Sequence, residues 1–584
     1  MSDRNAKSAA HRKSRRRVPF WPVVLLWFLA MLPRSFWGLP TSSRDDLLFG
    51  GQPAWEADRY GAATQIAVRR AQAAGADTDI DPLAIDNRII DLTADEADRA
   101  AILRRYRLFS RQPDEMITFM ALQQMNPRAG DFDPKLYQYG GAYIYLIGGL
   151  IGVTSILGIT TLSGDVNIYL ARPELFADFY MIGRIVSLIF GGLTLIAVTK
   201  LARLAAGRKA AWWALGLTTV CPVFITMSLE AKPHMASTCA VLWAVLAALR
   251  FLARGGARPA LRMGVLAGTA FAVVLTGVVA AAMLPVLATA RQVNKHARRH
   301  LLLAVALAAL VYLVSNPYVP YNFFFNADAL GGNIGNSTDM YQIGRIGEGL
   351  RRVGELLLES CGPAVLLLGF AGCVLITRFR PRQTAIAAAP GVAMLLICVS
   401  IGAGKPAEYA RFLLLPTVLI AVAAGIAMQR AALRSRALVG AMAIIIMASW
   451  IWLPGGPTAY LTSFTIDAWS DQETRLSAAR YIRDNASPSD DIGVLQFQEP
   501  APYGTPPIDF AHRTVKLLPA RRPEESDMTN LPVWLLACAD DASALEGAWW
   551  AAHYQLARRY PPDDRRLSRI SWANKPVFIY RRAD

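Results

Sequence analysis

Eleven apolar runs separated by short basic clusters constrain this chain more than any other feature. The runs fall at about 18–36, 139–158, 179–199, 211–227, 236–252, 263–290, 301–315, 362–377, 384–401, 411–428 and 437–453. A helix of ~20 apolar residues crosses the hydrocarbon core of a bilayer, so a polytopic membrane protein is expected. Twenty-five of the 61 lysines and arginines lie in six clusters, at 1–17, 200–209, 250–262, 291–299, 378–382 and 430–436, with Asp3 the only acid among them. Outside the clusters 36 bases meet 43 acids, so the formal charge of +17 is a property of the clusters. Basic loops stay on the cytoplasmic side and face anionic lipid there. The charge is therefore not a nucleic-acid signal. Six cysteines show no spacing of a zinc site or disulfide framework.

The clusters assign the topology. The run 263–290 is too long for one helix, has Thr276-Gly277 at its middle and basic clusters at both ends; two short helices in a hairpin satisfy this. The Tyr- and Gly-rich run 139–158 suits the headgroup level. If it does not cross, all six clusters fall inside. The expectation is thus a mainly α bundle of about eleven spans, N-terminus cytoplasmic and C-terminus extracytoplasmic. Residues 1–17 form a basic cytoplasmic tail, and the run after it reads as an uncleaved anchor because no small-residue cleavage site follows. Residues 18–453 form the membrane module, with a long first outer loop at about 37–178. Residues 454–584 form a small extracytoplasmic α/β domain. In the outer loop, Thr93-Ala-Asp-Glu96 reads as a capping box opening a helix to about Arg111. The tail reads as helix 473–485, strand 492–496, strand 533–537, helix 543–559 and strand 577–580.

Three outer constellations can carry chemistry. Acids come first: Asp45-Asp46 beyond the first span, and Pro113-Asp114-Glu115 before the 139–158 run. A partly desolvated carboxylate at a membrane surface can serve as a general base; the plainer reading is a helix-start acid. Consecutive residues on a helix diverge by ~100°, so Asp114 and Glu115 cannot both face one cavity. Both stay water-accessible on this reading. Second is the turn Ser228-Leu-Glu-Ala-Lys-Pro-His234, where Glu230, Lys232 and His234 line the same cavity or merely cap two helices. Third is Lys405-Pro-Ala-Glu-Tyr-Ala-Arg411 at the outer mouth of a span. Cations there oppose the positive-inside bias, which points to an anionic phosphate unless they simply snorkel. Arg345, Arg351 and Arg352 are lesser candidates. Asp77–Asp81 begins like a calcium loop, but Pro82 stands where glycine is needed. There is no HExxH, P-loop or GxSxG, and six histidines offer no metal cluster.

These constellations, in this order, resemble the polytopic GT-C glycosyltransferases, which include protein O-mannosyltransferases, aminoarabinose transferases and oligosaccharyltransferases. Further likeness lies in the segment YMIGRIVSLIFGGLTLIAVTKLAR, the Pro222-centred span, Asn316-Pro-Tyr318, the RFLLLP beginning at Arg411, and ETRLSAARYIRDN in the tail. The resemblance implies a cell-membrane enzyme that moves a sugar from a polyprenyl-phosphate donor to a hydroxyl of a lipid, glycan or protein acceptor, with inversion. It implies a base at Asp114 or Glu115, with Asp45 and Asp46 second, and a phosphate-holding cation at Arg411 aided by Lys405. Many members carry Asp where this chain has His234. The second acid is then Glu230 or absent, which weakens the case for a divalent metal; a divalent cation stays open as a cofactor, but no ligand cluster supports it. A lipid or sugar transporter, a flippase and a catalytically degenerate scaffold are the alternatives.

Overall fold

The computed structural model describes residues 19–73, 89–290, 293, 295–327, 331, 345–401, 410–452, 457–495, 505–519, 522, 527–538, 548–561 and 570–583. The basic tail 1–17, Lys405 and residues 77–81 lie outside these. The described chain is mainly helical. Five helices are long and apolar enough to cross a membrane: Glu174–Ala206, His234–Arg254, His296–Ser315, Pro381–Ile401 and Ala410–Arg434. Two bent pairs raise this to seven if each is one span: Arg208–Thr219 with Pro222–Ser228 at 66°, and Ile346–Cys361 with Pro363–Phe379 at 102°. Proline explains where both pairs break. Pro222 and Pro363 each open the second helix of a pair, where a missing N–H is tolerated. Trp21–Phe36, Gly141–Ile156, Leu275–Ala288 and Arg436–Ile451 are shorter apolar helices.

The expected hairpin at 263–290 is present in altered form. Ala257–Val273 is a helix, Val274 is extended, and the chain returns as a 3-10 turn, Leu275–Ala282, before the helix Met283–Ala288. Gly277 packs directly on the Ala270 carbonyl, where a Cβ would sit 1.9 Å from oxygen, so only glycine permits the reversal. The run 139–158 becomes the helix Gly141–Ile156, 16 residues long. Its start is pinned from two sides: Gly141 N–H donates to Asn316 Oδ1 (2.7 Å) and Gly140 N–H to the Val273 carbonyl (2.9 Å).

A six-stranded sheet follows the bundle. Its strands are β1 (Ile90–Asp91), β2 (Ile492–Leu495), β3 (Val515–Leu518), β4 (Trp534–Cys538), β5 (Tyr554–Tyr560) and β6 (Val577–Arg582), in the order β1-β3-β2-β4-β6-β5. β2 runs parallel to β3 and β4; the remaining pairs are antiparallel. The edge strand β1 comes from the long loop after the first apolar helix, not from the tail. Ala478, Ala479 and Ile482 of the Thr474–Asn485 helix pack with Ile492 and Val494 on one sheet face, and the same core includes Leu48, Leu103, Tyr143 and Ile144. Loop, tail and the Gly141–Ile156 helix therefore share one apolar core.

Two local expectations fail here. The helix Glu96–Leu108 is capped by Asp95, whose carboxylate accepts from Asp98 N–H (3.0 Å); Thr93 instead accepts from Val515 N–H (2.8 Å) and so ties the loop to β3. The residues read as a helix at 543–559 end in a 3-10 turn, Trp549–Ala552, and the strand β5. Pairing with β6 overrides helix propensity there, and the polar side chains of β5 stay exposed as suits an edge strand.

Candidate active site

The Asp114-Glu115 pair sits on a 3-10 turn, Pro113–Glu115, that opens the helix Met116–Gln124. The two carboxylates do diverge, and to different ends. Glu115 is fully buried against fully buried Arg184. Arg184 Nε donates to Glu115 Oε1 (2.8 Å) and Nη2 to Oε2 (2.6 Å), a bidentate pairing. Ala231 N–H (2.6 Å) and the Ser110 hydroxyl also donate to this carboxylate. The other guanidinium nitrogen, Arg184 Nη1, donates to the carbonyls of Ser35 and Trp37, each at 2.6 Å. One arginine thus joins the end of the first apolar helix, the Asp-Glu turn and the Glu174–Ala206 helix. Neighbouring Gly183 lets that helix reach the 230 turn, since a Cβ there would meet Ala231 Cβ at 2.6 Å. The expectation that both acids remain water-accessible is corrected for Glu115: with no exposed surface, it serves as the counterion of Arg184.

Asp114 faces the other way, with its side chain one-quarter exposed. Its Oδ2 is paired with Arg411 and lies 3.2 Å from Lys232 Nζ. Burial works to raise its pKa, but the Lys232 and Arg411 charges win and hold the carboxyl well below the usual carboxylate range. Lys232 also lies 3.2 Å from Glu230 Oε2. Gln112 links the two acids: its Oε1 accepts from Asp114 N–H (2.7 Å), and its Nε2 donates to Glu230 Oε2 (3.3 Å). Glu230 and Lys232 occupy a non-helical turn, and Pro233 caps the helix that begins at His234. Hence Glu230 and His234 do not share a helix face, yet they belong to one neighbourhood. His234 is buried between Tyr139 (ring centroids 6.0 Å) and Phe412 (6.4 Å), and its Nδ1 has no hydrogen-bond partner among the described residues. Arg411 opens the Ala410–Arg434 helix and is nearly buried.

The structure therefore brings together Asp114, Glu230, Lys232, His234 and Arg411 from three distant parts of the chain. Asp45 and Asp46 are engaged elsewhere. Asp45 pairs with buried Arg107 within the long loop, and Asp46 meets Arg483 of the tail at 2.9 Å. Arg345 and Arg351 are exposed and pair with Glu348 and Glu355 on their own turns. Gln112 and Arg184 were not expected. An arginine within an apolar run was the one available signal for Arg184; nothing in sequence marks Gln112. Among the described residues no three His, Cys, Asp or Glu groups converge as a metal cluster.

Residues 173–316 match the family described as dolichyl-phosphate-mannose-protein mannosyltransferase. The matched stretch carries Arg184, Glu230, Lys232 and His234 and ends at Asn316, whereas Asp114 and Arg411 lie outside it. No curated protein matches this chain by sequence. Among solved structures it is similar to the Archaeoglobus fulgidus oligosaccharyltransferase in complex with zinc and sulfate, at 17% identity and a TM-score of 0.41, over 70% of this chain and 62% of that one. It is also similar to ArnT from Cupriavidus metallidurans bound to undecaprenyl phosphate, at 13% identity and a TM-score of 0.39, over 82% of this chain and 96% of that one. A third is the Archaeoglobus fulgidus oligosaccharyltransferase AglB with an inhibitory peptide and a dolichol-phosphate, at 14% identity and a TM-score of 0.39, over 75% and 68%. The chain thus spans less than two thirds of the first of these proteins.

Proposed function

We propose that this protein transfers a sugar from a polyprenyl-phosphate donor to a hydroxyl acceptor at the outer face of the cell membrane, with inversion. The observation that carries this reading is the Asp114 carboxylate held between Arg411 and Lys232 beside a partly open face. The topology that goes with it has eleven crossings, the N-terminus cytoplasmic and the sheet of the tail outside.

Asp114 as it stands is a weak base, because two cations stabilise its charge. A donor phosphate changes that balance. It offers Arg411 and Lys232 a second anion, and as they turn to it Asp114 loses the charges that depress its basicity. The carboxylate is then free to take the proton of an acceptor hydroxyl while that oxygen attacks the anomeric carbon. Negative charge develops on the departing phosphate, where the two cations stabilise it. Donor arrival and base activation are so coupled through one carboxylate. Glu230 balances Lys232 during the exchange, and His234, whose buried Nδ1 has no hydrogen-bond partner among the described residues, lies beside the same cluster.

The test is transfer by the purified chain in lipid nanodiscs, using polyprenyl-phosphate sugars and following sugar lost from the lipid. Asp114→Asn should lower the rate by about 10²–10⁴-fold with no loss of donor binding. A rate within a few-fold of the parent would remove Asp114 from the base role. Transport of intact lipid without cleavage of the sugar-phosphate bond would favour the transporter reading instead.

A further inference from the structure

A cavity of about 320 Å³ opens on the flank of the hairpin at 263–290, within the range of about 300–1,000 Å³ usual for ligand sites. Its three walls are the Ala257–Val273 helix, the returning turn Leu275–Ala282 and the His296–Ser315 helix. Small residues create it. Gly268 packs on the Ala308 backbone, where a Cβ would meet the carbonyl oxygen at 2.6 Å, and Gly264 packs on Ala304 in the same way. The two helices therefore cross closely. With Ala267, Ala281 and Ala309 on the walls, nothing bulky fills the wedge beside the crossing. Apart from Tyr312 every lining side chain is apolar, and Val278, Val305 and Leu313 are exposed at the mouth. The cavity thus opens toward hydrocarbon.

The two ends of the hairpin differ in charge. At one end Phe271 stacks on Tyr312 (ring centroids 4.0 Å), and the nearby Val273 carbonyl accepts from Gly140 N–H, next to Tyr139 and so to His234. At the other end Gly255 lies against Ala297 and its carbonyl is 3.3 Å from His300 Nδ1, which gathers Arg254, Arg298 and Arg299. No Asp or Glu occurs between Glu230 and Asp328, and these three arginines are exposed, with no ion pair among the described residues. Arg298 is aligned with the cavity: Arg298, Val305, Ala309 and Tyr312 follow at spacings of seven, four and three residues and so share one helix face.

We propose that this groove binds an anionic phospholipid, its headgroup on Arg298 and an acyl chain along the apolar cavity. Both halves of the ligand are matched: a guanidinium fork meets phosphate, and hydrocarbon fills a wedge whose lining otherwise lacks partner atoms. The bound chain takes the place of the side chains that the small residues lack, and holds the return turn against the two helices. The headgroup sits at the end of the hairpin away from Tyr139 and His234, whereas the polyprenyl-phosphate donor would place its phosphate beside them. The site therefore does not depend on the transfer reaction.

Native mass spectrometry of the full chain, titrated in detergent with phosphatidylglycerol or phosphatidylcholine of the same acyl chains, counts bound lipids and ranks their affinities. One phosphatidylglycerol per chain should bind about tenfold more tightly than phosphatidylcholine, the size expected for one charge-assisted interaction. Arg298→Gln should remove that preference. Arg258→Gln should keep it, because Arg258 belongs to the same basic end but is turned about 180° from Ala267 on its helix. Ala309→Phe should weaken both lipids by filling the groove; Ala309 is exposed, so the larger side chain need not enter the packed core. Arg411→Ala should change neither lipid, which separates this result from failure of the proposed transfer. Equal affinity for the two lipids, equal losses for Arg298→Gln and Arg258→Gln, or full binding by Ala309→Phe would overturn the proposal. Loss of the phosphatidylglycerol on adding one equivalent of polyprenyl phosphate would overturn it too, and assign the groove to the donor tail.

Discussion

Arg411 and Glu115 show how one type of ion pair serves two ends. Glu115 and Arg184 are both without exposed surface, and every strong acceptor position of that carboxylate is used. Glu115→Gln leaves the guanidinium of Arg184 buried without its counterion, which typically costs about 3–5 kcal/mol. The expected outcome is a large fall in thermal stability, measured in nanodiscs, rather than a folded protein without activity. Asp114→Asn should lower the melting temperature less, because the Asp114 side chain is one-quarter exposed and Lys232 keeps Glu230 as a second counterion. At Arg411, Arg411→Ala should weaken use of the lipid-phosphate donor far more than Arg430→Ala, an exposed position at the other end of the same helix. Arg411→Lys should recover only part of the loss, because a point charge cannot replace a fork. Equal donor kinetics for the two alanine variants would take Arg411 out of the site. The acid limb of kcat/KM offers a further check. Lys232 and Arg411 keep Asp114 ionised in the free enzyme well below the ordinary carboxylate range of about 4. Its titration should therefore leave kcat/KM flat between pH 5 and pH 7 as far as this group is concerned. A limb in that range that vanishes in Asp114→Asn would show that the two cations are not in place.

Elements meet through buried charge as well as through apolar packing. Arg111 stands at the end of the loop's arginine-rich segment, and its partners Asp467 and Glu473 lie more than 350 residues later. Burial works against the Glu473 charge, but Arg111, Arg475 and Arg44 outweigh it and lower its pKa. A depressed folded pKa means stability that is present above the ordinary carboxyl pKa and is lost as pH falls through the folded value. Acid should therefore loosen the contact between loop and tail before it melts the helices. Limited proteolysis across a pH series reads this: cleavage between loop and tail should rise in acid for the parent. Glu473→Gln should show the raised cleavage already at neutral pH. Identical cleavage patterns for parent and Glu473→Gln at neutral pH would mean that the apolar core alone holds the junction. Part of this element-scale order is legible from residues. The tail helix appears within one residue of its expected bounds, and strands at 492 and 577 were expected. β3 and β5 were not, because short strands with polar outer residues carry little periodic signal and are decided by the partner they pair with.

At the scale of the whole molecule, the topology remains the expectation with the widest consequences. A reporter fused at Asp165, the cap of the short helix Val166–Ala171, should read outside, and one at Ala206, the end of the helix Glu174–Ala206, should read inside. Opposite readings at both positions would mean that Gly141–Ile156 crosses. Sequence alone determined the class of this protein: apolar run length and the placement of basic residues are set by the lipid, a solvent that acts on each segment separately. Sequence also marked Asp114, Glu230, Lys232, His234 and Arg411, because a charge at the end of an apolar run stands out against its surroundings. Only the tertiary structure decided that Asp114, not Glu115, faces the open side. The deciding contact is with Arg184, 69 residues further on, and no local pattern reports which of two adjacent acids will find a buried counterion. It also decided that the long loop and the tail are one body, with β1 added at the edge of the tail's sheet and a shared core beneath it. Two residues of strand have no periodicity to detect; they become a strand because unpaired backbone groups of β3 lie beside them. The membrane constrains segments one at a time, whereas the site depends on partners that are brought together only when the chain folds.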